Sequence, residues 1–252
     1  MKKLISILLV AGWVLLAQEA APVAQKLVPI KNVDVSRLHN LLGVYDAGGR
    51  VKWRAAAGFV ALSGPKDLVE AMEEFIRKID VPMKNVELTF YVLLGTSDGK
   101  SATLPSELTG VAKQLTSLFG YKGIRLLETA ILRGREEESG SASGLMMPSS
   151  DDLPVSAKST YSLEYRSVSV SGEGKDRTVR LDQLRFYARI PTVTAPVQPA
   201  PGTGASTQLH FVDTGLKTNI DVREGQKVVV GKAGIDGSPN SMFLVVSAKV
   251  VE

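Results

Sequence analysis

Residues 58–82 read GFVALSGPKDLVEAMEEFIRKIDVP, and this stretch decides the fold. Gly58–Ser63 is a short apolar run that predicts a strand. Gly64–Pro65 then opens a helix, because a proline at the first helical position loses no hydrogen bond. Leu68, Met72, Phe75, Ile76 and Ile79 recur at helical spacing and give the helix one apolar stripe. Glu70, Glu73 and Glu74 sit in its first half and Arg77 and Lys78 in its last turn, the polarity that suits the helix dipole. Asp80–Val81–Pro82 ends it.

Upstream of this stretch, Lys26–Ile30 predicts a strand. Asp34 can cap a helix whose apolar face is Val35, Leu38, Leu41 and Leu42, with Gly43 as its stop. Val51–Lys52–Trp53–Arg54 alternates apolar and polar, as a half-buried strand does. The order is strand, helix, strand, strand, helix, with two apolar helix stripes to lay on one small sheet. The strings VPIKNVDVSRLHNLL (28–42) and FVALSGPKDLVEAMEEFIRKIDVP (59–82) resemble the short N-terminal domains of secretins, and Ile79–Asp80–Val81–Pro82 matches that family's closing motif. The resemblance covers about a quarter of the chain. It implies a domain that packs side by side with its copies into a periplasmic ring and contacts partner proteins. The connection Gly43–Gly49 is shorter than the family's usual loop. RNA-binding KH domains share the element order but need a Gly-X-X-Gly loop between helices, and none stands in that place.

Downstream, Val86–Leu94 alternates and then turns wholly apolar, as a buried strand does. Leu104–Pro105 precedes a helix carrying Leu108, Val111, Leu115, Leu118 and Phe119, stopped by Gly120. Ile124–Leu132 predicts a strand. Residues 136–150 are acidic, then rich in Gly and Ser, and read as a flexible loop. Tyr161–Ser171 alternates cleanly and Thr178–Ile190 does so with interruptions. Residues 191–206 read as a second loop. Gln208–Val212, Leu216–Val222, Lys227–Gly231 and Phe243–Val251 are further strands, with a turn at Arg223–Gln226. The stretches TNIDVREGQKVVVGKAGIDG (218–237) and MFLVVSAKVVE (242–252) are similar to the end of the secretin core. Two departures stand out: Gly231 is followed by Lys232 where the family has a second glycine, and the family's Pro/Leu/Gly-rich ending is missing. The sequence also shows no pair of long amphipathic strands of the kind that builds an outer-membrane pore, so the expectation is that the chain is not itself a channel.

The expected fold class is therefore α+β. A small two-helix, three-strand N-terminal domain (26–82) precedes a mostly antiparallel β-rich domain with one helix (85–252). Ahead of both, Met1–Lys2–Lys3 and the uncharged run Leu4–Ala17 read as a secretory signal. Cleavage is placed after Ala17, with Ala20 and Ala21 as neighbouring alternatives and an uncleaved anchor as the other reading. No later segment has the length and apolarity of a membrane-crossing helix.

The 252-residue chain has no cysteine, which excludes disulfides, thiolate metal sites, a cysteine nucleophile and a lipid-anchoring cysteine. Its net charge of +4 is not gathered into a basic arm, which argues against nucleic acid as partner. His39 and His210 are its two histidines, read as a helix-edge and a strand residue. No Gly-X-Ser-X-Gly elbow accompanies them. Gly231–Gly237 lacks the Gly-Lys-Ser/Thr ending of a phosphate loop and reads as a hairpin turn. Glu136–Glu138 and Asp151–Asp152 could attract calcium but read as solvated loops. No catalytic, cofactor-binding or metal-ligating residue is assigned.

The functional expectation is an exported, non-enzymatic structural or adaptor protein of a secretin-like assembly, related to type II secretion or type IV pili. It would lie in the periplasm or at the outer membrane. Its partners would be envelope secretion or pilus proteins, a secretin among them, and copies of itself. The alternative is a periplasmic ligand- or polymer-binding protein using the β-rich domain.

Overall fold

Val60, Leu62 and Gly64 alternate with Phe59, Ala61 and Ser63, and the first set is buried. That period of two makes this segment a strand with one wet face. In the computed structural model the chain divides into two compact units, residues 1–82 and 83–252. The structure describes residues 23–45, 48–56, 58–99, 103–149, 153, 157–193, 209–235 and 238–251. The expected signal segment lies outside them.

Unit 1 runs β1 (Val23–Pro29), α1 (Val35–Tyr45), β2 (Lys52–Ala56), β3 (Phe59–Pro65) and α2 (Lys66–Ile79). The strands form an antiparallel sheet in the order β1-β3-β2. Its core joins Val28, Val60 and Leu62 of the sheet to Leu38 and Leu42 of α1 and to Val69, Met72 and Ile76 of α2. Both helices therefore cover the same face. Pro65 is at once the last residue of β3 and the N-cap of α2, so strand passes to helix without a loop. Glu73 is paired with Lys26 and with Arg77, the latter at 2.8 Å. At the far end the Asp80 carboxylate gathers the backbone N–H groups of Lys31, Asn32 and Val33 at 2.9, 2.6 and 3.0 Å. It ties the exit of α2 to the entrance of α1.

Unit 2 contains β4 (Asn85–Thr96), a 3₁₀ turn (Ser106–Leu108), α3 (Thr109–Phe119), β5 (Gly123–Arg135), β6 (Gly140–Met146), β7 (Ser159–Tyr165), β8 (Ser167–Ser171), β9 (Thr178–Val193), β10 (Leu209–Arg223), β11 (Lys227–Gly234) and β12 (Ser241–Val251). They build two antiparallel sheets, β11-β12-β4-β5 and β10-β9-β7-β6, with β8 added to the first half of β9. Between them lies the main core, including Phe90, Leu163, Leu181, Phe186, Ile190, Leu244 and Val246. A second core, built on Tyr91, Leu93, Phe243 and Val245, lies under Val111 and Leu115 of α3. β4 and β12 are thus covered on both faces, which is why FYVLL and MFLVV are unbroken apolar runs.

Three expectations are corrected. Residues 136–150 do not form a loop throughout: β6 lies there, paired with β7 from Gly140↔Tyr165 to Met146↔Ser159. Glycines of β5 and β6 make room for the ring of Tyr165. A Cβ on Gly140 would stand 2.4 Å from the Tyr165 hydroxyl and one on Gly134 2.5 Å from it, and Tyr165 is buried. Second, the loop expected at 191–206 begins later, because β9 continues through Pro191 to Val193. Third, the chain does have a pair of long strands. β9 has 16 residues and β10 has 15, paired from Thr178↔Arg223 to Val193↔Leu209. A bulge hides this periodicity. Leu181 and Leu184 are both buried although they are three apart, because Gln183 sits at φ 51° and the register shifts opposite Asn219. The Gln183 N–H donates to Asn219 Oδ1 at 2.7 Å. Pro191 is tolerated because β7 pairs with β9 only as far as Arg189.

Candidate functional site

The residues tested for chemistry are dispersed. His39 packs edge-on against Trp53, ring centroids 5.0 Å apart, in unit 1. His210 is exposed on β10 in unit 2. Gly231–Gly234 are paired residues of β11, so they cradle no phosphate. Glu136 is structural: its carboxylate accepts the N–H of Lys84 at 2.9 Å and that of Val170 at 3.0 Å. Glu138 pairs with Arg135 at 2.9 Å. Asp151 and Asp152 lie outside the described residues. Among the described residues no three His, Asp or Glu side chains converge as metal ligands. The buried Tyr91 hydroxyl donates to Glu107 at 2.9 Å; burial and that carboxylate push its pKa up to about 12, so it stays protonated near neutral pH.

What the fold offers instead is surface. In unit 2 the five-stranded sheet ends in β6 on one side and β10 on the other, and no further strand pairs with either among the described residues. Such edges present unmatched N–H and C=O groups. Its inward side chains fill the core, while its outward face is polar along β9 and β10. Arg180 lies 3.0 Å from Asp182 and 3.7 Å from Asp221. Arg185 lies 3.1 Å from Glu164. The Arg189 guanidinium sits 4.9 Å from the centre of the Phe211 ring. These alternating charges suit a face in contact with water.

Unit 1 has a second surface of this kind. Among the described residues the sheet face away from α1 and α2 is bare, with Leu27 65% and Phe59 46% exposed. A depression of about 600 Å³ on it is lined by Gln25, Leu27, Lys52, Arg54, Ala61 and Ser63.

Solved secretins share this architecture. The type IV competence pilus secretin PilQ of V. cholerae superposes with a TM-score of 0.51 at 14% identity, over 94% of this chain and 79% of that one. The type II secretin GspD of enteropathogenic Escherichia coli gives 0.50 at 11% identity, over 90% of this chain and 87% of that one. A chain of the Klebsiella pneumoniae type II secretion outer membrane complex of PulD, PulS and the PulC HR domain gives 0.51 at 11%, over 90% and 50%. The chain has a secretin-like fold. Neither a family model nor a curated protein sequence matches it. The likeness spans nearly the whole chain, whereas the sequence motifs lie in the first unit and the last strands. Strand edges and bare faces carry almost no sequence signal, since pairing partners are set by topology. The one available hint was the alternation of β10, where polar Asp213, Lys217, Asn219 and Asp221 mark the outward face.

Proposed function

We propose that the chain is an exported, non-enzymatic subunit that assembles with its own copies into a secretin-like ring of a bacterial envelope, of the type II secretion or type IV pilus kind. The observation that carries this is the strand path β10-β9-β7-β6. Every step in it is antiparallel, and the number of strands is even. The edge of β10, which no strand pairs with among the described residues, therefore runs antiparallel in one copy to the likewise unpaired edge of β6 in the next. Repeating that pairing makes one continuous sheet, and closure removes every edge. The long β9–β10 hairpin favours a wall-forming role over a peripheral adaptor. Its polar outward face suits a wall wetted on that side.

The test is assembly. Purified chain in mild detergent should sediment as a closed oligomer of many copies and show rings by electron microscopy, and gently solubilised envelopes should yield it in a large complex with secretion or pilus components. A monomer under all these conditions, with no such component attached, would sink the reading.

A further inference from the structure

The bare sheet face of unit 1 is not matched to itself. It carries Lys52 and Arg54 on the edge strand β2 beside Ala61 of β3, with Leu27 of β1 one strand further across and no carboxylate among the residues lining its depression. Neither cation has an ion-pair partner among the described residues. The exposed side of α2, on the other side of the same unit, carries Asp67, Glu70, Ala71 and Glu74 in one stripe. Only Glu74 of these is paired, with Lys78 of its own helix at 2.8 Å. The two sets also share a spacing. Lys52 and Arg54 are two strand residues apart, roughly 6.6 Å. Glu70 and Glu74 are four helix residues apart, roughly 6 Å. A helix laid along β2 would set each carboxylate opposite a cation, with Ala71 the small residue between them to meet Ala61, the β3 partner of Arg54.

We infer that the bare sheet face of unit 1 receives the acidic stripe of α2 from a second copy of the chain. The two surfaces differ and lie on opposite sides of one unit, so the contact is head-to-tail, the kind that propagates from copy to copy instead of stopping at a dimer. Its ion pairs fix register and make the contact sensitive to salt. The inference rests on the ring reading and specifies which surfaces of unit 1 meet.

The absence of cysteine makes the test clean. A chain carrying both Ala61→Cys and Ala71→Cys, oxidised after assembly, should give a covalent ladder on a non-reducing gel, while either single variant should stay monomeric. Adding Lys52→Glu and Arg54→Glu should slow ladder formation at least tenfold. Adding Glu70→Lys and Glu74→Lys as well should restore it, because the charges are then exchanged across the contact. A dimer from either single variant, no ladder from a chain that sediments as an oligomer, or no rescue by the charge exchange would overturn the inference and leave the ring reading standing. A wild-type chain that never assembles would overturn both. Circular dichroism of each variant separates these outcomes from misfolding.

Discussion

Asp80 and Asn32 hold each other from both ends: the Asp80 carboxylate accepts the Asn32 backbone N–H at 2.6 Å, and the Asn32 side-chain amide donates to the Asp80 carbonyl at 3.0 Å. With Lys31 and Val33 donating to the same carboxylate, one side chain satisfies the turn that enters α1. The Ile-Asp-Val-Pro motif is thus a clasp across nearly fifty residues of chain. Replacing Asp80 with Ala should cost about 1–2 kcal/mol, since charge-assisted hydrogen bonds are lost at a partly exposed site. Asp80→Asn should fall between. Chemical denaturation of each variant, followed by far-ultraviolet circular dichroism, measures this directly.

Acid should loosen the same clasp. Burial raises the Asp80 pKa, but the N–H groups of Asn32, Val33 and Lys31 outweigh it and hold the carboxyl below its usual range. Glu73 is likewise held down by its hydrogen bond to Lys26, against burial. Both groups have folded-state pKa values below their unfolded ones. Their contribution is therefore complete above about pH 4–5 and is lost as pH falls through the folded values. Melting temperature against pH should drop on the acid side, and Asp80→Asn should flatten that drop. An unchanged slope in the variant would show that the clasp does not titrate.

In unit 2, Gly140→Ala should be destabilising by ~1–3 kcal/mol, because the new methyl meets the ring and hydroxyl of the buried Tyr165. Urea unfolding of the variant gives the number. Equal stability would mean that Tyr165 can leave its place without cost.

The β9 bulge makes a two-sided prediction. Asn219→Ala removes the acceptor of the Gln183 N–H and should cost about 1 kcal/mol. Gln183→Gly relieves a left-handed backbone and should be neutral or stabilising by roughly 1 kcal/mol. If both lower the melting temperature equally, the bulge is held by the Gln183 side chain and not by its backbone.

Elements held by local patterning were legible in the sequence. The apolar stripe of α2 and the unbroken runs of β4 and β12 each follow from their own residues and the face they bury. β6 was not legible, because Gly-Ser-Ala-Ser-Gly is a strand only when Tyr161 and Tyr165 of its neighbour lie over the glycines. The full length of β9 was hidden by one left-handed residue and one proline. The candidate surfaces were still less accessible. Lys52 and Arg54 read as ordinary alternation until the helices are seen to occupy the opposite face of the sheet. Motif likeness reached the first unit and the last strands, while the hairpin that bears most on function lay between them.

The placement of β12 beside β4 sets a schedule for folding. The strand that opens unit 2 pairs with the strand that ends it, from Asn85↔Val251 to Gly95↔Ser241. A chain that has emerged only as far as Asn240 has not yet supplied the strand that joins β11 to β4. Such non-local pairing is slow, and it leaves the apolar strip of β4 waiting for its neighbour. Unit 1, closed by Asp80, needs nothing beyond Pro82 for its sheet and helices. The two units therefore mature at different times, and the late one is the unit that needs protection from aggregation.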